Sequence, residues 1–356
     1  MGEGANKALS YKDRVSHHGS MVVVDLDGWT KDAMFSPYPE GSRDKYAVIA
    51  PENPLNPAIV PHHRYLMKFS NPRYPVQFWS EIIASQIGCE IGVPVPPCFY
   101  ALDPESGKPG SLSEWFFGKA IEADMAFTAG PVISNPYDMP EVPESAPSTH
   151  SLYVAGSAYM ARHIKDYDLK TGKQHNLRSV SVIIKRFSQV WLNDHWPHWV
   201  KVLTFDAIIG NTDRHQDNWG ILWRSDDGGG LAPRFSPAFD NGTSLLHEIV
   251  EDRLNRFSDP EALERYVMRG RHHMKWNVDD AKSAGHIDLV ASIIRDRPAL
   301  AEDVRALIEA DWDRVFERIS ELGSIQSPEP LSEARLTAIL AVISRRIEIL
   351  KSVILP

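Results

Sequence analysis

Residues 210–222 read GNTDRHQDNWGIL and residues 231–244 read LAPRFSPAFDNGTS, with the turn-forming DDGGG at 226–230 between them. The first stretch places a carboxylate, Asp213, and an amide, Asn218, on either side of the tetrapeptide RHQD. The apolar GILW, the glycine-rich turn and LAPRF have the form of a β-hairpin, which would fold Asp240 of the second stretch back beside Asn218. Upstream, Val200, Leu203, Ala207 and Ile208 make one helical stripe that runs into Gly210. The polar loop is therefore predicted to hang from the end of a rigid helix.

Magnesium prefers hard oxygen donors and fills the rest of its shell with water and phosphate oxygens, so one amide and one carboxylate suffice to hold it. Asn218 and Asp240 are the candidate metal ligands. The interval from Asp213 to Asn218 is that of phosphoryl-transfer catalytic loops, where the aspartate orients an acceptor hydroxyl and the asparagine holds the ion. That chemistry works through positioning and charge cancellation, and so also needs a cation on the phosphates. Lys68, in the strand-like YLMKF, is the candidate, and the helix that follows carries Glu81, a carboxylate to hold its rotamer. Further upstream, GSRDK at 41–45 offers Gly41, Ser42, Arg43 and Lys45 in a turn before a strand. It is read as a candidate phosphate cradle of backbone N–H groups and cations.

The rest of the chain builds two unequal halves. MVVVDLDGW reads as an edge strand, and YAVIA and HRYLMKF as two strands that pair as neighbours. VQFWSEIIASQIG is predicted to be a helix, with Pro75 near its start, Gly88 at its end, and Trp79, Ile83 and Ile87 in one row. Beyond the proline-rich 131–149 the pattern turns helical. Val304, Leu307, Ile308, Trp312, Val315, Phe316 and Ile319 predict one long amphipathic helix, and Leu336 to Leu350 another behind a Ser332 cap. The expected architecture is α+β and bilobal: a flexible arm at 1–20, a small β-containing lobe at 21–130, a loop at 131–150 and a large helical lobe at 151–356.

A chain of 356 residues with 43% hydrophobic and 24% charged residues has the balance of a globular protein large enough for two lobes. Its formal charge of -9 argues against general nucleic-acid coating, which calls for a basic balance. Two cysteines, Cys89 and Cys98, make neither a disulfide framework nor a zinc motif. With no apolar run long enough for a membrane span and no secretory leader pattern, a cytoplasmic location is expected.

TDRHQDN with the later FDNG, YLMK, and WSEIIASQIGCEIGVPVP together resemble the HipA-like kinases of bacteria, over roughly residues 40–350. The resemblance implies a protein-kinase-like fold with ATP and magnesium in the cleft and Ser/Thr protein kinase activity. It further implies Asp213 as catalytic base, Asn218 and Asp240 as magnesium ligands, Lys68 as the nucleotide-binding lysine and Glu81 as its partner. A protein substrate and an antitoxin or regulatory partner are implied too. The loop at Gly41 starts so early that the N-terminal subdomain of the family's toxins is expected to be missing, which weighs against a toxin role. Ser42 is the one hydroxyl in GSRDK where phosphorylation of the loop would act.

Two other readings stay open. DRHQDN followed by Asp-x-Gly also resembles phosphatidylinositol kinases, which would make the acceptor a lipid or small molecule. A nucleotide-binding interaction module without catalysis is the third. The pairs His17–His18, His62–His63 and His272–His273, with His195 and His198, are read as structural, with no zinc expected. His215 is left outside the acid–base assignment. RYVMRGRHHMKW at 265–276 mixes cations with aromatics and is read first as a solvated helix face, ahead of a contact for an acidic or phosphorylated substrate or RNA. The adenine-contacting hinge is sought in FFGKAIEADMAFTAG at 116–130.

Overall fold

A computed structural model describes residues 22–33, 43–116, 151–191, 194–225 and 231–354. The arm at 1–20, Gly41 and Ser42, nearly all of the hinge segment, the loop at 131–150 and the DDGGG turn lie outside the described residues.

The N-terminal half is a six-stranded sheet. It is made of β1 (Val23–Val24), β2 (Thr30–Lys31), β3 (Lys45–Ile49), β4 (Arg64–Phe69), β5 (Cys98–Leu102) and β6 (Pro109–Glu114), in the spatial order β1-β5-β6-β4-β3-β2. YAVIA and YLMKF pair antiparallel as expected, with Lys45 directly opposite Lys68. Side chains alternate across a strand, so β4 has two faces. Tyr65, Met67 and Phe69 enter a small core with Val48, Phe99 and Leu112. Lys68, two positions from Leu66, is thereby turned to the other face, toward the helix that follows.

That helix, α1 (Gln77–Ile91), is buried along almost its whole length. Its end corrects the sequence reading: Gly88 lies inside it, and Gly92, with φ +76°, forms the left-handed cap. Gly88 is needed for a different reason, since a Cβ there would come 2.3 Å from the Val95 side chain where the chain doubles back.

A second sheet, β7 (Ser151–Ala155), β8 (Gly220–Ser225) and β9 (Leu231–Phe235), is antiparallel in that order, and β8–β9 is the predicted hairpin. The helices of this half are α2 (Gly156–His163), α3 (Leu177–Trp191), α4 (Trp196–Ile209), α5 (Pro260–Arg269), α6 (His286–Asp296), α7 (Ala301–Ile308), α8 (Trp312–Glu321) and α9 (Glu333–Ile354). α4 ends at Gly210 with φ +69°, as its stripe required. α9 starts at Ser332, whose Oγ accepts the Arg335 N–H at 3.1 Å. The single long helix expected over 304–319 is instead two. The break falls at Asp311, whose side chain accepts the Arg314 N–H and caps a fresh start. The heptad-like spacing survives because both pieces pack on one core.

The main core runs without interruption from Phe78, Trp79 and Ile83 of α1 into Val200, Ile208, Leu307, Ile343 and Leu350. α1 is therefore welded to the helical half while its other side meets the first sheet. The architecture is α+β and bilobal, a β-containing N-terminal part on a larger helical part. No helix among the described residues is long and apolar enough to cross a membrane.

Candidate active site

The site is assembled where α1, β4 and the loop after β9 converge. Lys68 is 6% exposed, and its Nζ lies 3.4 Å from Glu81 Oε1 and 3.1 Å from Asp240 Oδ1. Burial alone would lower the lysine pKa, but Asp240 and then Glu81 outweigh it and raise it, so the ammonium is held charged. Lys45, opposite Lys68 in the ladder, has its pKa lowered by burial and then by Lys68. Asp240 is held well below the usual carboxylate range: burial opposes this, but Lys68, Arg43 and Lys45 prevail.

Arg43 enters more deeply than a phosphate-cradle cation would need to. Its Nη2 lies 2.5 Å from Glu81 Oε1 and 2.8 Å from Asp240 Oδ1, and its Nη1 is buried without a hydrogen-bond partner. Gly242 makes the room, since a Cβ there would fall 2.7 Å from Arg43 Nη1. Glu81 thus serves two cations with one oxygen. With the other, Oε2, it accepts the Asn241 N–H at 3.0 Å and fixes the loop that carries Asp240. Asp240 itself sits at φ +56°, a left-handed conformation that Asp tolerates better than most residues.

The catalytic-loop candidates are joined to that loop by Arg214. Its guanidinium forms two hydrogen bonds to Asp206 of α4, at 3.0 and 2.8 Å, with both side chains at 0% exposure. Nη1 donates to the carbonyl of Asn218 at 3.1 Å and to that of Phe239, the residue before Asp240. Nη2 donates to Asn241 Oδ1 at 2.6 Å. One side chain therefore places Asn218 and Asp240 side by side. The Asn218 Nδ2 donates to the Asp213 carbonyl at 2.7 Å, so its amide oxygen is the end available to a cation. An amide oxygen and a carboxylate on adjoining loops fit magnesium by donor chemistry.

Asp213 is half-buried, and burial, followed in the same direction by the charge on Asp240, raises its pKa against the pull of His215 and Arg214. His215 lies 3.6 Å from Asp217, which suits a loop-shaping role. His272 Nε2 lies 3.3 Å from Asp206 Oδ2, and His286 Nε2 bonds the Asn211 carbonyl at 2.7 Å. These contacts tie the three histidines to the loop and to its buried acid.

Of the sequence candidates, Lys68, Glu81, Arg43 and Asp240 are in direct contact, Asn218 and Asp213 share their loop, and Lys45 stands beside Lys68. Sequence reading missed Asp206, Arg214, Asn211 and Asn241. Arg214 lay in plain view inside TDRHQDN, but its partner Asp206 is on a helix whose apolar stripe hides a buried acid. Also missed was an apolar wall joining the two sheets beside Lys68. Ala47, Trp115 and Leu222 are buried there, with the partly buried Leu66 and Phe116 packed against them. Phe116 lies tilted against Phe239, with ring centres 4.8 Å apart, and meets Tyr153 edge-on at 5.6 Å.

The structure overlays a Helicobacter pylori structure described as the proinflammatory kinase CtkA with a TM-score of 0.62, covering 93% of this chain and 97% of that one at 16% identity. This chain is folded as a kinase. The fold accords with the protein-kinase-like architecture that the sequence resemblance implied. A Shewanella oneidensis HipA, solved with HipB and operator DNA, matches with a TM-score of 0.41 and 12% identity over 88% of this chain and 64% of that one. No family model and no curated protein matches the sequence.

Proposed function

We propose that this chain is an ATP- and magnesium-dependent kinase of HipA-like type that phosphorylates Ser or Thr hydroxyls of a protein. The observation that carries the reading is Lys68, held charged between Glu81 and Asp240, with Asn218 tied alongside by Arg214. Bound magnesium would neutralise phosphate charge between Asn218 and Asp240. Lys68 would grip the nucleotide phosphates, with Glu81 fixing its rotamer. The unpartnered Nη1 of Arg43 is a donor for a further phosphate oxygen. The apolar wall of Ala47, Leu66 and Leu222 suits a purine ring.

In the transfer, the acceptor oxygen forms a bond to the γ-phosphorus, the bond from that phosphorus to the ADP oxygen breaks, and the hydroxyl proton passes to Asp213. Half-burial suits Asp213 to this, because a raised pKa makes a carboxylate a better proton acceptor. A cytoplasmic location and the lobe boundaries extend the proposal on the sequence pattern, and an antitoxin or regulatory partner extends it on the sequence resemblance.

The test is transfer from radiolabelled ATP with magnesium to protein acceptors and to the chain itself. Wild-type protein should label Ser or Thr, and Lys68→Met, Asp213→Asn and Asp240→Asn should each lower the rate at least about 100-fold. Full activity in Asp240→Asn overturns the assignment. Transfer confined to a lipid head-group panel moves it to the phosphatidylinositol-type reading, and ATP binding without any turnover moves it to a nucleotide-binding module.

A further inference from the structure

The basic stretch RYVMRGRHHMKW is more than a solvated face. α5 and the turn after it bring Arg265, Arg269 and Arg271 to a cavity of about 580 Å³ that Arg256 and Arg346 complete. Arg265 is already paired with Glu261 at 3.1 Å and Asp259 at 3.8 Å; against the other four guanidinium groups the wall sets one carboxylate, Glu248, which accepts the Tyr266 hydroxyl at 2.9 Å and lies 3.3 Å from His247.

Arg346 is the independent sign of a ligand. It is 2% exposed, and no ion pair among the described residues includes it. Its Nη1 donates to the Ala207 carbonyl at 3.0 Å, while Nε is buried with no partner. Glu248 acts on Arg346 only through space and does not offset its burial; a buried cation with no ion-pair partner is costly, and an anion delivered to it removes that cost. Gly210 and Gly270 are part of the arrangement. A Cβ at either would fall 2.7 or 2.9 Å from Arg346 Nη2, so the lack of a side chain at both leaves room for the guanidinium. Thr212, exposed and adjacent to Asp213, lines the same cavity.

Guanidinium forks match phosphate oxygens two at a time, and arginine clusters are a standard means of reading phosphorylated peptide motifs. A nucleic acid would call for stacking aromatics and a net basic protein. Here Tyr266 commits its hydroxyl to Glu248, and the chain carries a charge of -9. The geometry points to a second anion site, built on Arg346 with Arg256, Arg269 and Arg271, that takes the phosphoryl group of a phosphorylated peptide beside the catalytic loop. The peptide class rests on the protein-kinase reading; the anion site does not.

The full chain is titrated with a fluorescent degenerate phosphoserine peptide pool, the same pool unphosphorylated, and inorganic phosphate, with MgATP binding followed separately by calorimetry. The phosphorylated pool should bind at least tenfold tighter than the unphosphorylated one and than phosphate alone. The double variant Arg256→Glu, Arg269→Glu alters two exposed side chains and should lose at least tenfold in phosphopeptide affinity while still binding MgATP. Equal affinity for both pools, undiminished affinity in the double variant, phosphate binding as tightly as the phosphopeptide, or displacement by a single-stranded RNA oligonucleotide at lower concentration would each overturn the proposal. A chain that binds phosphopeptide but not MgATP keeps the anion site and loses the kinase reading. The reverse result keeps the kinase and loses the site.

Discussion

Arg214 and Asp206 form a two-pronged ion pair with neither side chain exposed, and the same guanidinium bonds the carbonyls of Asn218 and Phe239. The Asp206 carboxyl is held down to about 2, because Arg214 overcomes the opposing effect of burial. A pair this deep is unforgiving to the loss of one partner.

Arg214→Ala leaves the Asp206 charge uncompensated and should cost about 3–5 kcal/mol in urea unfolding. Arg214→Lys restores charge but not the fork, so it should recover only part of that loss. A double-mutant cycle with Asp206→Ala should give an interaction energy of about 1–3 kcal/mol. Additive single losses would mean that the pair is not coupled.

Gly242→Ala is a targeted way to dislodge Arg43. The new methyl would meet only the guanidinium end of a flexible side chain, and φ at this position is not left-handed. Because Arg43 pairs with buried Glu81 and with Asp240, stability should fall by about 1–3 kcal/mol, and KM for ATP should rise about three- to tenfold through the lost cation. An unchanged KM would remove Arg43 from nucleotide binding.

Asp213 must be ionised to accept a proton, and its pKa is raised from 3.8 by burial and by Asp240. The acid limb of kcat/KM should therefore lie above the ordinary aspartate range, with activity rising as pH rises through it. Asp240→Asn removes one of the raising charges. In the residual activity of that variant the limb should move to lower pH, and a limb that stays put would assign it to another group.

Acid stability should be governed early by buried imidazoles. His198 is lowered to about 4 by burial first, with His195 and Lys201 adding to it. His286 is lowered to about 3 by burial, then by Arg346 and His272. Both folded values lie below the unfolded 6.5, so the unfolded chain takes up protons first. Stability is intact above pH 6.5 and is lost as pH falls from there toward 4 and 3. Within that window each imidazole contributes a slope of about 1.4 kcal/mol per pH unit. Urea midpoints at intervals from pH 7.5 to 5 check this, and a flat profile contradicts it.

Local chemistry was legible in the chain because it depends on near neighbours. The Asp213–Asn218 spacing, the β8–β9 hairpin, the Gly210 helix end and the Lys68 strand before the Glu81 helix are all set by turn propensity, alternation and helical period. The same local rules misplaced the end of α1. Gly88 and Gly92 look alike in sequence, and only the returning chain at Val95 tells which one needs space and which one needs a left-handed φ. They also ran α7 and α8 together, since both present their apolar face to one core.

What only tertiary structure decided is which distant charges share a partner. Asp206 meets Arg214, Arg43 reaches Glu81 and Asp240, and Arg346 forms no ion pair among the described residues, with Glu248 acting on it only through space. Each outcome depends on desolvation, and desolvation is a property of packed neighbours rather than of residue order. The sequence by itself determined the candidate ligands and their order along the chain. The fold decided that Arg214 would hold Asn218 against the Asp240 loop, because only burial makes that guanidinium spend every donor on those two loops and Asp206.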